Sequence, residues 1–136
     1  MADNYLGSCA CGKVHFALDA EPLNIFNCHC TICRKMNGSA FSTYVVFKAS
    51  ALRITGGRAE IQAAAAGTQA TRHFCRDCGT PLYGLHQLAP GLCLVMLGAI
   101  DNADALAPAA NVFCQSRLPW TYNLSTLVNH ATTPST

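Results

Sequence analysis

The sequence predicts a mainly β fold of short strands, and three observations carry that expectation. Apolar residues alternate with period two from Val14 to Leu18, and aromatic and β-branched residues gather in short runs such as residues 41–47. Gly and Pro punctuate the chain between such runs. Residues 31–37, ended by Gly38, are the one segment that reads as a short helix.

Taken in order, the Cys9-Ala-Cys11-Gly12 turn feeds a strand in which Val14, Phe16 and Leu18 bury one face, while Lys13, His15 and Ala17 point the other way. Residues 41–47 and 52–55 follow as strands, the second stopped by Gly56-Gly57. Residues 71–74, 82–85, 92–97 and 111–115 complete the set. The run Ala63-Ala-Ala-Ala66 has high helical propensity but is too short to hold a helix, so it reads as strand or loop. One domain is expected over residues 1–130, with residues 131–136 a frayed, small and polar tail.

Composition narrows the function. Charged residues make up 12% of the chain and the net charge is +2, against about 25% charged residues in average soluble proteins. The longest basic cluster is Arg34-Lys35, which could hold an anionic small molecule but not a nucleic acid. Residues 1–8 lack a basic stretch followed by an apolar one, and no apolar run reaches membrane-spanning length, so a cytoplasmic protein with no membrane partner is expected. In that reducing compartment closely spaced cysteines serve metals more often than disulfides, and nine cysteines cannot all pair.

Seven of the nine fall into three clusters, Cys9-Ala-Cys11, Cys28-His-Cys30-Thr-Ile-Cys33 and Cys75-Arg-Asp-Cys78. A closed structural zinc takes four thiolates, whereas a catalytic zinc takes three protein ligands and keeps one position open. Cys75 and Cys78 form a knuckle followed by Gly79, and Cys9 and Cys11 a tighter version of it; together they supply the four-thiolate site. Cys28 and Cys30 share one side of an extended segment and Cys33 reaches back from the helix, which makes a three-thiolate, open site. Two alternatives stay open: a second closed site completed by His29, His73 or Cys114, and buried thiols with no metal. His29, between two of these cysteines, is the candidate acid or base, and Arg34 and Lys35 are candidate holders of a substrate carboxylate. Cys93 and Cys114 read as core packing.

Three stretches carry a resemblance. Gly7-Ser-Cys-Ala-Cys-Gly-Lys-Val14, Cys28-His-Cys-Thr-Ile-Cys-Arg-Lys-Met-Asn-Gly-Ser-Ala-Phe41 and Phe74-Cys-Arg-Asp-Cys-Gly-Thr-Pro-Leu-Tyr83 resemble the glutathione-dependent formaldehyde-activating enzyme family, which includes centromere protein V. The likeness continues through Gly98-Ala-Ile-Asp101 and Ser116-Arg-Leu-Pro-Trp120. It implies a β-tent fold, two antiparallel sheets around a structural zinc. It also implies two zinc ions per chain, structural on Cys9, Cys11, Cys75 and Cys78 and catalytic on Cys28, Cys30 and Cys33. The activity implied is that of a carbon-sulfur lyase forming or cleaving S-hydroxymethylglutathione, with glutathione or another small thiol and a small aldehyde as partners. The chain departs from the family in its compactness and in Pro119-Trp-Thr-Tyr-Asn123, where an aromatic more often follows the Trp. The rival readings are a non-enzymatic zinc-binding interaction module and a thiol redox or metal-storage protein.

Overall fold

A computed structural model describes residues 3–65 and 67–134. Within them β1 (Tyr5–Ser8), β2 (His15–Leu18) and β5 (Leu52–Gly56) form a small sheet in the order β1-β2-β5. The remaining strands are β3 (Asn24–Cys28), β4 (Ser42–Lys48), β6 (Ile61–Ala64), β7 (Ala70–Cys75), β8 (Pro81–His86), β9 (Leu92–Met96) and β10 (Ala110–Val112), which form a large sheet in the order β10-β3-β4-β9-β8-β7-β6. The fold is mainly β, as the sequence predicts. Every named pairing is antiparallel except that of β10 with β3.

Register divides the large sheet into two working faces. Val45 pairs with Val95 and Phe47 with Cys93, and all four are buried with Val14, Phe16 and Leu18 in the core between the sheets. On the opposite face Tyr44 pairs with Met96, Leu94 with Gly84, and Gly84 with Arg72. The helix α1 (Thr31–Asn37), between β3 and β4, covers part of that outer face, where Tyr44 reaches Cys33. Ser42 secures it, bonding the Asn37 side chain and donating to the Cys33 carbonyl at 3.3 Å.

Two glycines fix the small sheet. A Cβ at Gly7 would collide with the Phe16 ring, and one at Gly57, where φ is 74°, would run into the Lys13 carbonyl.

The expected helix is present as Thr31–Asn37, with Gly38 as a left-handed cap. The strand expected over residues 111–115 is corrected: it stops at Val112, because Phe113 turns left-handed at φ 55° and Cys114–Ser116 form a 3-10 turn. Cys114 is therefore exposed rather than packed in the core, while Cys93 is buried as expected. Ala63 and Ala64 close β6 and Ala65 lies beyond it; Ala66 falls outside the described residues. Residues 131–134 are exposed and outside any helix or strand, and Ser135 and Thr136 also fall outside the described residues.

Candidate active site

The first cysteine cluster sits where the two sheets meet. Cys9 and Cys11 belong to the β1–β2 turn of the small sheet, Cys75 ends β7 of the large one, and Cys78 lies in the turn that follows. Gly12 and Gly79 take positive φ of 80° and 78°, the left-handed geometry that closes both turns. All four sulfurs lie within 4.8 Å of one another, with Cys9 to Cys11 at 3.5 Å and Cys11 to Cys75 at 3.8 Å. A tetrahedron with metal–sulfur bonds of about 2.3 Å places its sulfurs about 3.8 Å apart, so this donor set fits zinc.

The protons tell the same story. The Thr80 hydroxyl, then the Thr80 and Cys11 amides, hold the Cys78 thiol down to about 5. Against the Lys13 amide, which lowers it, burial and the sulfurs of Cys9, Cys78 and Cys75 push Cys11 up to about 12. Four thiols this close do not all ionise beside one another. A divalent cation is what allows every proton to leave.

The second cluster lies on the outer face. Cys28 ends β3, Cys30 caps α1 by accepting the Cys33 amide at 3.2 Å, and Cys33 stands in the first helical turn. Their sulfurs also converge within 4.8 Å. Among the described residues no further His, Cys, Asp or Glu ligand atom joins them. His29 points its Nε2 to Asn111 Oδ1 at 3.0 Å, His73 stacks on Tyr83 at 4.4 Å, and the Cys114 sulfur faces the Asn111 carbonyl. The closed second site on one of those three residues is not formed.

All three sulfurs line a cavity of about 570 Å³. Phe26, Tyr44, Leu94 and Met96 give it an apolar floor, and Ile32 and Met36 of α1 wall one side. The Tyr44 hydroxyl donates to the Cys33 sulfur at 3.1 Å. Burial first, and the Cys33 sulfur next, raise the Tyr44 pKa, so the phenol keeps its proton at neutral pH. The Cys28 thiol is lowered, chiefly because Cys33 donates to it.

The structure brings the seven clustered cysteines together as two groups and sets the other expected site residues apart. His29 is 1% exposed, packed on Phe41 at 5.0 Å, and absent from the cavity lining. Arg34 spends its guanidinium on the Ser116 carbonyl at 2.9 Å, and Lys35 is exposed; neither lines the cavity. Residues that do line it include Tyr44, Asn37, Arg72 and His86, none of which the sequence singles out. Only the alternation of strand residues could have hinted at Tyr44 and Arg72, and it does not say which face holds a cavity.

The profile of the family described as "Glutathione-dependent formaldehyde-activating enzyme" matches residues 4–116, most of the chain. The chain belongs to that family. A Halomonas elongata protein named "Putative glutathione-dependent formaldehyde-activating enzyme" is 31% identical over 104 residues, 71% of this chain and 65% of the relative. An uncharacterized lyase of Schizosaccharomyces pombe is 30% identical over 79 residues, 58% of this chain and 56% of the relative. The chain thus spans less than two thirds of the length of either. A Rhodobacter sphaeroides protein of known crystal structure shares the fold with TM-score 0.64 at 24% identity, covering 78% of this chain and 98% of its own. The glutathione-dependent formaldehyde-activating family thus accounts for a mainly β chain with two convergent cysteine groups that could hold metal ions.

Proposed function

We propose that the protein is a zinc-dependent carbon-sulfur lyase that forms or cleaves the adduct of glutathione, or another small thiol, with a small aldehyde such as formaldehyde. The observation that carries the reading is the open three-sulfur group on the wall of an apolar cavity, with no fourth protein ligand among the described residues. The four-sulfur group joins the two sheets and serves the fold. Both groups fit zinc, giving two ions per chain.

Zinc on Cys28, Cys30 and Cys33 would supply a Lewis acid with one position for a substrate sulfur or oxygen. In the forward direction the thiol sulfur adds to the aldehyde carbon, a carbon-sulfur bond forms, and the thiol proton ends on the former carbonyl oxygen. The reverse breaks that bond and returns thiol and aldehyde. Tyr44 holds its proton on the hydroxyl that touches Cys33, where it stabilises negative charge on sulfur and can donate as charge grows on oxygen. Phe26, Leu94 and Met96 exclude water that would compete for the aldehyde. Asn37 lines the cavity and ties the end of α1 to Ser42 through its side-chain nitrogen. His29 acts as a positioning residue: its ring bonds Asn111 and its amide donates to the Val112 carbonyl at 3.0 Å, which fixes the segment between Cys28 and Cys30. Arg34 braces α1 against Ser116.

Among the described residues no helix is long and apolar enough to cross a membrane, and thiolate zinc sites of this kind suit the reducing cytoplasm, where we place the protein. Elemental analysis of reduced protein should return two zinc ions per chain. Glutathione should perturb the thiolate charge-transfer band of the cobalt-substituted protein, and magnetisation-transfer NMR should show faster exchange between aldehyde and adduct. A cobalt spectrum indifferent to every thiol and adduct would end this reading.

A further inference from the structure

Three strands across the outer face from Tyr44 stands Arg72. The register runs from Tyr44 to Met96, from Leu94 to Gly84 and from Gly84 to Arg72, so these side chains share the face that floors the cavity. We propose that Arg72, with His86 beside it, forms an anion subsite that selects thiol substrates carrying a carboxylate remote from the sulfur. The assignment rests on the thiol-adduct reading and deepens it.

Arg72 is the one Lys, Arg, Asp or Glu in the cavity lining among the described residues. It takes no part in the three ion pairs found there, which use Lys13, Arg53 and Arg76. Its guanidinium makes no hydrogen bond among the described residues; the Nε is closed off from the cavity, so the terminal nitrogens are the donors left for an acceptor that the protein itself does not supply. The Phe74 ring, 4.6 Å from the guanidinium carbon, braces the cation and leaves its planar fork suited to a carboxylate. His86 stands opposite Ala70, one step along β8 on the same face, and its Nδ1 accepts the Leu88 amide at 3.1 Å. That bond puts the ring proton on Nε2, a second donor.

Spacing favours a peptide-sized thiol. Strands lie about 4.8 Å apart, so β4 and β7 are separated by about 14 Å. A substrate whose sulfur sits at the three-cysteine group therefore needs an arm of several bonds between sulfur and carboxylate to reach Arg72, which a peptide thiol has and a simple mercapto acid lacks. Gly84 lies between them with no side chain, leaving the floor open. A Cβ there would meet only the Thr71 carbonyl at 3.6 Å, an ordinary contact, so the strand itself does not require glycine.

S-methylglutathione is the probe, because its capped sulfur cannot ligate as a thiolate and binding then reports the carboxylate arm alone. Calorimetry on the metal-loaded wild-type protein should show it binding about tenfold to a hundredfold more tightly than its dicarboxylate diester. Arg72→Met should erase that preference while leaving diester binding and the thermal midpoint unchanged, and Arg72→Lys should restore part of it. Gly84→Val should weaken both ligands by obstructing the floor; Arg72→Gln replaces Arg72→Met should the latter not fold. Equal affinity for the two ligands in wild-type protein, no measurable binding of either, or an intact preference in Arg72→Met would each overturn the assignment. A cobalt spectrum indifferent to thiols would instead remove the thiol-adduct reading, a result this titration does not depend on.

Discussion

Cys75→Ser and Cys30→Ser each remove one thiolate, yet they should part company in stability. Cys75 is fully buried at the seam between the sheets, and its sulfur lies 3.8 Å from that of Cys11 in the other sheet. Other polar ties across that seam are single bonds, among them the Asp101 amide to the Leu6 carbonyl at 2.7 Å, Ser8 to Asp101 at 2.8 Å, the Leu6 amide to Asn102 at 3.0 Å, the Ala10 amide to Thr80 at 3.0 Å and the exposed Lys13–Asp77 ion pair. Each of those four hydrogen bonds is worth about 1 kcal/mol net. A structural zinc contributes roughly 10–16 kcal/mol, so one of four ligands carries about 2.5–4 kcal/mol. That is a large share of the roughly 5–15 kcal/mol that holds a domain folded. At roughly 4 °C per kcal/mol for this length, Cys75→Ser should melt about 10–16 °C below wild type. Cys30→Ser leaves the seam intact. Serine is also a good helix cap and can accept the Cys33 amide as the sulfur now does at 3.2 Å, so its midpoint should fall by only about 3 °C or less. Thermal melts followed by circular dichroism, with zinc counts on both variants, decide the matter. Equal destabilisation would show that both metals serve the fold, and a Cys30→Ser protein that keeps two zinc ions and full turnover would show that the chemistry lies elsewhere.

Further outcomes follow from the same geometry. Tyr44→Phe keeps the ring packed on Phe26 at 5.7 Å but deletes the bond to the Cys33 sulfur, so the adduct exchange rate should drop about a hundredfold with an unchanged melt; an unaffected rate removes Tyr44 from the mechanism. Tyr5, raised first by its bond to Glu21, and Tyr44 and Tyr83, raised first by burial, keep their protons in the folded state beyond pH 10, where the unfolded chain loses them. Their contribution is therefore complete below pH 10 and lost as pH climbs above it; tyrosinate absorbance should lag in the folded protein and jump on alkaline unfolding, and smooth early titration of all four tyrosines would contradict the burial argument. Gly57→Ala forces a side chain into the Lys13 carbonyl at a positive φ and should cost about 2–4 kcal/mol in urea unfolding, a midpoint equal to wild type meaning that the turn relaxes freely.

The sequence by itself determined the parts of this protein that rest on short-range spacing. Knuckle turns need two cysteines a fixed distance apart and a glycine that tolerates positive φ, so both cysteine groups, α1 with its Gly38 cap, and most strands were legible in a single chain. Strands without a long alternating run were not. β1 and β6 are held by pairing with the next strand in the chain and β3 by pairing with β4 across α1, and β10 is cut short where Phe113 turns left-handed. Tertiary structure alone decided which face of the large sheet is core and which floors a cavity, since alternation separates two faces without saying what covers either. That choice carries Tyr44 and Arg72 into the site from positions with no local signal, buries His29 behind it, and ties Arg34 to a carbonyl 82 residues away. The two cysteine groups are written in the chain as local motifs. The walls around them come from strands far apart in sequence, and only the long-range register places them.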